Sequence, residues 1–172
     1  MESIRNIYRI GYGPSSSHTM GPRTAAETFL KRFNDASSYQ VTLYGSLAAT
    51  GKGHLTDKAI KEVFTNRKLQ IVWKPEIVLP RHPNGLKFEA FDENTNLLGD
   101  WTAYSVGGGA VVDDNTQTES VEVYPFSNLN DIIKWCNKHG RSYWEFVQEY
   151  EEKDIMDYLN EVWKVMKESI HR

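Results

Sequence analysis

The sequence predicts an α+β fold: a two-layer mixed sheet covered by helices, with a C-terminal helical tail. Three observations carry this. Residues 39–45 and 86–124 hold the clearest strand-like segments, residues 17–34 carry apolar positions at helical spacing, and the chain is helical from Asn128 onward. Segregation of strands from the tail helices points to α+β rather than to alternating βαβ units.

The elements follow in order. Ala25, Ala26, Phe29, Leu30 and Phe33 form one apolar face of a first helix over 17–34. Tyr39 to Gly45 is β-branched and aromatic and ends at glycine, as a strand does. Short helices are expected near 46–51 and 55–66, the second carrying Leu55, Ala59, Ile60, Val63 and Phe64. Residues 69–80 are apolar with two prolines, an edge strand or extended loop. Leu86 to Phe91 alternates apolar and polar, Asp92 to Asn96 turns, and Leu97 to Val106 resumes, predicting an antiparallel hairpin. Gly107-Gly108-Gly109 breaks it, and 110–112 and 121–124 supply further strand material. In the tail, Asn128 with Asp131 and Ser142 with Glu145 mark helix starts, and Gly140 marks a helix end. The last helix runs from Asp154 with Ile155, Tyr158, Leu159, Val162, Trp163, Met166 and Ile170 apolar. Its apolar face, held almost to the last residue without a C-cap glycine, reads as a chain cut from a longer one. Trp163, Met166 and Ile170 are expected to pack against a second copy or to fold back. The expected division is 1–127 and 128–172.

Composition narrows the function classes. The 172 residues are 40% hydrophobic with net charge -3, and mean hydropathy is -0.56. Neither a membrane span nor a signal peptide is expected. The densest basic patch, Lys58, Lys61, Arg67 and Lys68, is interrupted by acids, which argues against nucleic-acid binding. The one cysteine, Cys136, allows no internal disulfide and suits a cytoplasmic chain. It falls on the stripe Leu129, Ile132, Ile133, Cys136 and reads as core. No His/Asp/Glu spacing suggests a zinc or calcium site. Gly45 to Gly53 matches neither a Walker A loop nor a dinucleotide fingerprint.

Residues 13–22, Gly-Pro-Ser-Ser-Ser-His-Thr-Met-Gly-Pro, concentrate the candidate chemistry. They lie at a helix N-terminus, where free N–H groups and the helix dipole favour an anion. His18 can exchange a proton near neutral pH, and Ser15, Ser16, Ser17 and Thr19 can orient its ring or grip a small carboxylate. Capping by Ser17 or Thr19 accounts for one hydroxyl and leaves the others to be explained. His82-Pro83-Asn84 is the second candidate, a rigid turn aiming a proton carrier and a carboxamide at one spot. His54 reads equally as structural or functional.

These segments carry a resemblance. The run 13–22, Tyr44 to His54 (Tyr-Gly-Ser-Leu-Ala-Ala-Thr-Gly-Lys-Gly-His), His82-Pro83-Asn84 and Ser105-Val-Gly-Gly-Gly resemble, in order, the beta domain of iron–sulfur L-serine dehydratases (L-serine ammonia-lyases). The resemblance implies a lyase of amino-acid catabolism and gluconeogenesis that converts L-serine to pyruvate and ammonia. It implies a 4Fe-4S cluster whose iron accepts the departing hydroxyl, ligated on a catalytic (alpha) domain, because one thiol cannot hold a cluster. That domain and L-serine are then the partners, and a homodimer is left open. His18, His82 and Asn84 become the expected catalytic residues, with Ser15, Ser16, Ser17 and Thr19 binding substrate. His18 and His82 should share one pocket, their elements side by side. The chain alone should be soluble, colourless and inactive. The same domain resembles the allosteric substrate-binding domain of some phosphoglycerate dehydrogenases, so the alternative is a regulatory module that binds serine without chemistry.

Overall fold

The computed structural model describes residues 1–116 and 121–171. They form two compact units, Gly11–Gln117 and Met1–Ile10 with Thr118–Arg172. The first ten residues therefore belong with the tail helices, not with the sheet that follows them.

The sheet unit contains α1 (Gly21–Arg32), β1 (Ser38–Tyr44), α2 (Gly45–Thr50), α3 (Thr56–Val63), β2 (Lys68–Lys74), β3 (Gly85–Phe91), β4 (Leu97–Gly107) and β5 (Ala110–Asp113). The strand order is β2-β1-β3-β4-β5. β1 and β2 are parallel and the other pairs antiparallel, so the sheet is mixed. The parallel pair needs a crossover, which α2 and α3 supply. The β3–β4 hairpin forms where the alternation predicts it. Asp92 shapes its turn, accepting from the Asn94 and Asn96 amides.

Alternation also decides the layers. Tyr39, Val41 and Leu43 of β1 and Leu86, Phe88 and Ala90 of β3 are buried with Ala25, Ala26 and Phe29 of α1, Leu47 of α2 and Ile60 of α3. Phe88 stacks between Phe29 and Trp101, with ring centroids 5.2 and 5.9 Å apart. The intervening residues face away from the helices. There Lys87 pairs with Glu89 at 3.0 Å and Asp100 at 3.3 Å, and Gln40 Nε2 donates to Glu89 at 2.8 Å. One apolar face under helices and one polar face make the expected two layers.

The helical unit comprises a 3-10 turn at Ile4–Asn6, α4 (Leu129–His139), α5 (Tyr143–Tyr150) and α6 (Ile155–Ile170). Its starts and stops are those the sequence marks. Asn128 accepts from the Asp131 amide, Gly140 turns left-handed at φ 61, and Ser142 and Glu145 close a capping box. Cys136 is core, packed with Tyr124 and Phe146. Glu151 is buried and takes three donors: Ser3 Oγ at 2.7 Å, the Ile4 amide at 2.8 Å and the Tyr124 hydroxyl. Burial pushes its carboxyl up, but these donors outweigh it and hold it below the usual range. Burial and the Glu151 charge together push the Tyr124 phenol up.

Three expectations change. Val121–Tyr124 is not a strand, because the Val123 and Tyr124 amides both donate to the Met1 carbonyl instead of to a neighbouring strand. The first helix does not start as an α-helix at 17; Ser16–Met20 form a π-helical turn that runs into α1. Trp163, Met166 and Ile170 do not fold back into their unit, being 55%, 49% and 77% exposed.

Candidate functional site

The site begins where the chain turns from extended to helical. Ser15 has extended backbone, and its hydroxyl accepts from the His18 amide at 3.1 Å, so Ser15 is the cap rather than Ser17 or Thr19. The Met20 amide reaches back five residues to the Ser15 carbonyl at 3.1 Å. This wide turn is a feature that recurs at functional sites. Pro22 then sits in the first turn of α1, where its missing N–H is not needed.

The turn carries the His18 imidazole half-buried between two hydroxyls. Nδ1 lies 2.9 Å from Ser17 Oγ, and Nε2 lies 3.0 Å from Ser46 Oγ on α2. A neutral ring can donate to one and accept from the other. The His54 ring stands 4.9 Å away, centroid to centroid, tilted by 48°. Burial lowers the His18 pKa, the His54 ring lowers it further, and the Ser46 contact opposes both. Burial and the His54 ring therefore favour the neutral form of the His18 imidazole. The two imidazoles are fixed by an exchange of bonds. Thr19 Oγ1 donates to the His54 carbonyl at 2.7 Å, and Thr56 Oγ1 donates to the His18 carbonyl. Between His54 and Thr56, Leu55 adopts a left-handed backbone at φ 58, a strain these bonds sustain.

Ser46 also ties in the second segment. Its amide donates to the Pro83 carbonyl at 3.1 Å. Gly45 before it has φ 49, and a Cβ there would lie 2.6 Å from the same carbonyl, so the β1–α2 corner needs glycine. Across the turn, His82 Nδ1 accepts from the Asn84 amide at 3.1 Å. Asn84 is buried; its Nδ2 donates to the Ser105 carbonyl at 3.2 Å, and its own carbonyl accepts from the Ser105 amide at 3.0 Å.

The arrangement brings His18, Ser17, Ser46 and His54 into direct contact. His82 and Asn84 join through Ser46–Pro83 on one side and Ser105 on the other. Ser15 and Thr19 are spent on backbone contacts, and Ser16 is exposed. Sequence reasoning met Ser46 and Ser105 only as members of the resembling runs, gave neither a role in the site, and did not single out Thr56. A serine in the first turn of a helix reads as a cap, and only the tertiary approach of His18 shows otherwise.

One cysteine cannot supply the roughly three or four thiolates that ordinarily hold an iron–sulfur cluster. Cys136 is the chain's only cysteine and is packed among aromatic rings. Among the described residues no three His, Cys, Asp or Glu come together to hold a metal, and no helix is long and apolar enough to cross a membrane.

The site is thus a half-buried histidine held between two hydroxyls and beside a second histidine, on a mixed sheet covered by helices. Residues 3–63 and 61–116 match the serine dehydratase beta chain model, and the chain belongs to that family. It is similar to an L-serine dehydratase of Helicobacter pylori, with 34% identity over 85% of this chain and 42% of the relative. It is also similar to an L-serine dehydratase of Haemophilus influenzae, with 31% identity over 99% of this chain and 49% of that one. Similarity to L-serine dehydratase TdcG of Escherichia coli covers the whole chain at 30% identity. The chain spans about half the length of these curated relatives.

Proposed function

We propose that this chain is the beta part of an L-serine dehydratase that converts L-serine to pyruvate and ammonia in the cytoplasm. Its site is completed by a catalytic domain outside these residues. The observation that carries the reading is the His18 imidazole, its neutral form favoured by burial and by His54, and aimed by Ser17 and Ser46. The reaction removes a proton from Cα and hydroxide from Cβ of serine; the resulting aminoacrylate tautomerises and takes up water to give pyruvate and ammonia. His18 supplies the acid–base or orienting role in that sequence. The Ser46–Pro83 link supports assigning His82 and Asn84 to the same ligand, with Ser15, Ser16, Ser17 and Thr19 shaping its seat. An imidazole near neutrality is matched to removing or returning a proton at pH 7. The single cysteine supports placing the ligands of the cluster expected of such enzymes on the catalytic domain.

The test is His18→Ala in the intact enzyme. Loss of turnover by about 10²-fold or more supports an acid–base role. Unchanged turnover with an altered response to serine concentration would replace the catalytic reading with the regulatory one.

A further inference from the structure

We infer that Gly21 and Ser105 are a pair of positioning residues whose combined size sets the separation between the helix that carries His18 and the strand that holds Asn84. The contact stands outside every role assigned so far. Ser105 is 0% exposed. Its main chain brackets Asn84, accepting from Nδ2 and donating to the Asn84 carbonyl. Its hydroxyl has no hydrogen-bond partner among the described residues. A buried hydroxyl without a partner is a net cost that an alanine would avoid, so polarity does not explain the residue. Space does. A Cβ built on Gly21 would lie 2.0 Å from Ser105 Oγ and 2.8 Å from Ser105 Cβ. The start of α1 therefore rests directly on β4, and neither partner can grow unless the other shrinks.

Gly21 belongs to the same turn as the site. Its amide donates to the Ser16 carbonyl and closes the π-helical turn that carries His18. On its other flank that turn is held by Thr19 and Thr56. A push at Gly21 must be absorbed between these two holds, where the His18 ring meets Ser46 and His54. Pairing of the turn with β4 is thus linked to the environment of the imidazole. The relevance to turnover rests on the function proposed above, but the geometric claim does not.

The experiment is a size exchange in this chain, read by NMR titration of the His18 and His54 imidazoles and by thermal unfolding. Gly21→Ala is expected to move the His18 titration up towards its ordinary value, as the ring loses part of its burial. The double variant Gly21→Ala, Ser105→Gly clears both close atoms and should restore the wild-type titration. Gly21→Ala with Ser105→Ala, which leaves the Cβ contact, should restore it only in part. Ser105→Ala alone should leave it unchanged. Should Gly21→Ala fail to fold, a folded double variant with the wild-type titration still supports the pair. A folded Gly21→Ala with an unshifted His18, or a double variant that is not rescued, overturns it. Activity enters none of these readouts, so they stand or fall separately from the dehydratase reading.

Discussion

The imidazoles of His18 and His54 stand 4.9 Å apart at 48°, each anchored through a carbonyl that accepts a threonine hydroxyl from the other's segment. A charge on the His54 ring would stand beside His18, which is one of the causes that lower the His18 pKa.

Replacing His54 by glutamine is therefore expected to raise the His18 pKa towards 6.5 without reaching it, because burial is the larger cause of its lowering. NMR titration reads the shift directly. In the wild-type chain the unfolded state takes up a proton at 6.5 and the folded state only below it. The contribution of His18 to stability is complete above pH 6.5 and is lost as pH falls through its lowered folded value. His18→Gln should flatten that part of the stability profile.

Glu151 predicts a second, more acid loss. Its folded pKa lies below 4.5, so its contribution is present above that value and disappears as pH falls through the folded one. Glu151→Gln leaves donors from Ser3, Ile4 and Tyr124 facing an amide, and is expected to destabilise by about 1–3 kcal/mol at pH 7. Unfolding measured across pH 3–7 for both proteins checks magnitude and window together.

Gly45→Ala should lose stability through the left-handed backbone, which costs about 1–2 kcal/mol for an L-residue, and more through the approach of Pro83. Its distinctive outcome is local: the Ser46 amide, bonded to Pro83 in the wild type, should exchange with solvent faster. Unchanged protection at Ser46 would mean that the corner adapts without glycine.

Phe88→Ala removes a ring stacked between Phe29 and Trp101. A loss of about 3–5 kcal/mol is expected, measured by denaturant unfolding. By contrast, Trp163→Gln and Ile170→Gln on the exposed stripe of α6 should stay within about 0.5 kcal/mol of wild type.

Most of the sheet was legible because its signals are local. Alternation at Leu86, Phe88 and Ala90 marks both the strand and its buried face, and the capping residues of α4 and α5 act within four residues of themselves. Val121 to Tyr124 has strand composition too, but a strand also requires a neighbour, and those amides take the carbonyl of Met1. The site divides the same way. His18 and the His82–Asn84 turn are visible as unusual local runs, whereas Ser46 acquires its role only when α2 brings it to a residue 28 positions away.

The Glu151 clamp has a consequence for how the chain is made. Ser3 and Glu151 are 148 positions apart, so during synthesis the first ten residues emerge without the carboxylate that will order them. Residues from Gly11 to the end of β5 are contiguous and hold all their sheet partners, so they can fold while the rest is still on the ribosome. At about 5–20 residues per second, residues 1–10 then wait for seconds before α5 arrives. Ile7, Tyr8 and Ile10 of that segment stay exposed even after it has docked, so its order rests on the Glu151 bonds rather than on burying these side chains.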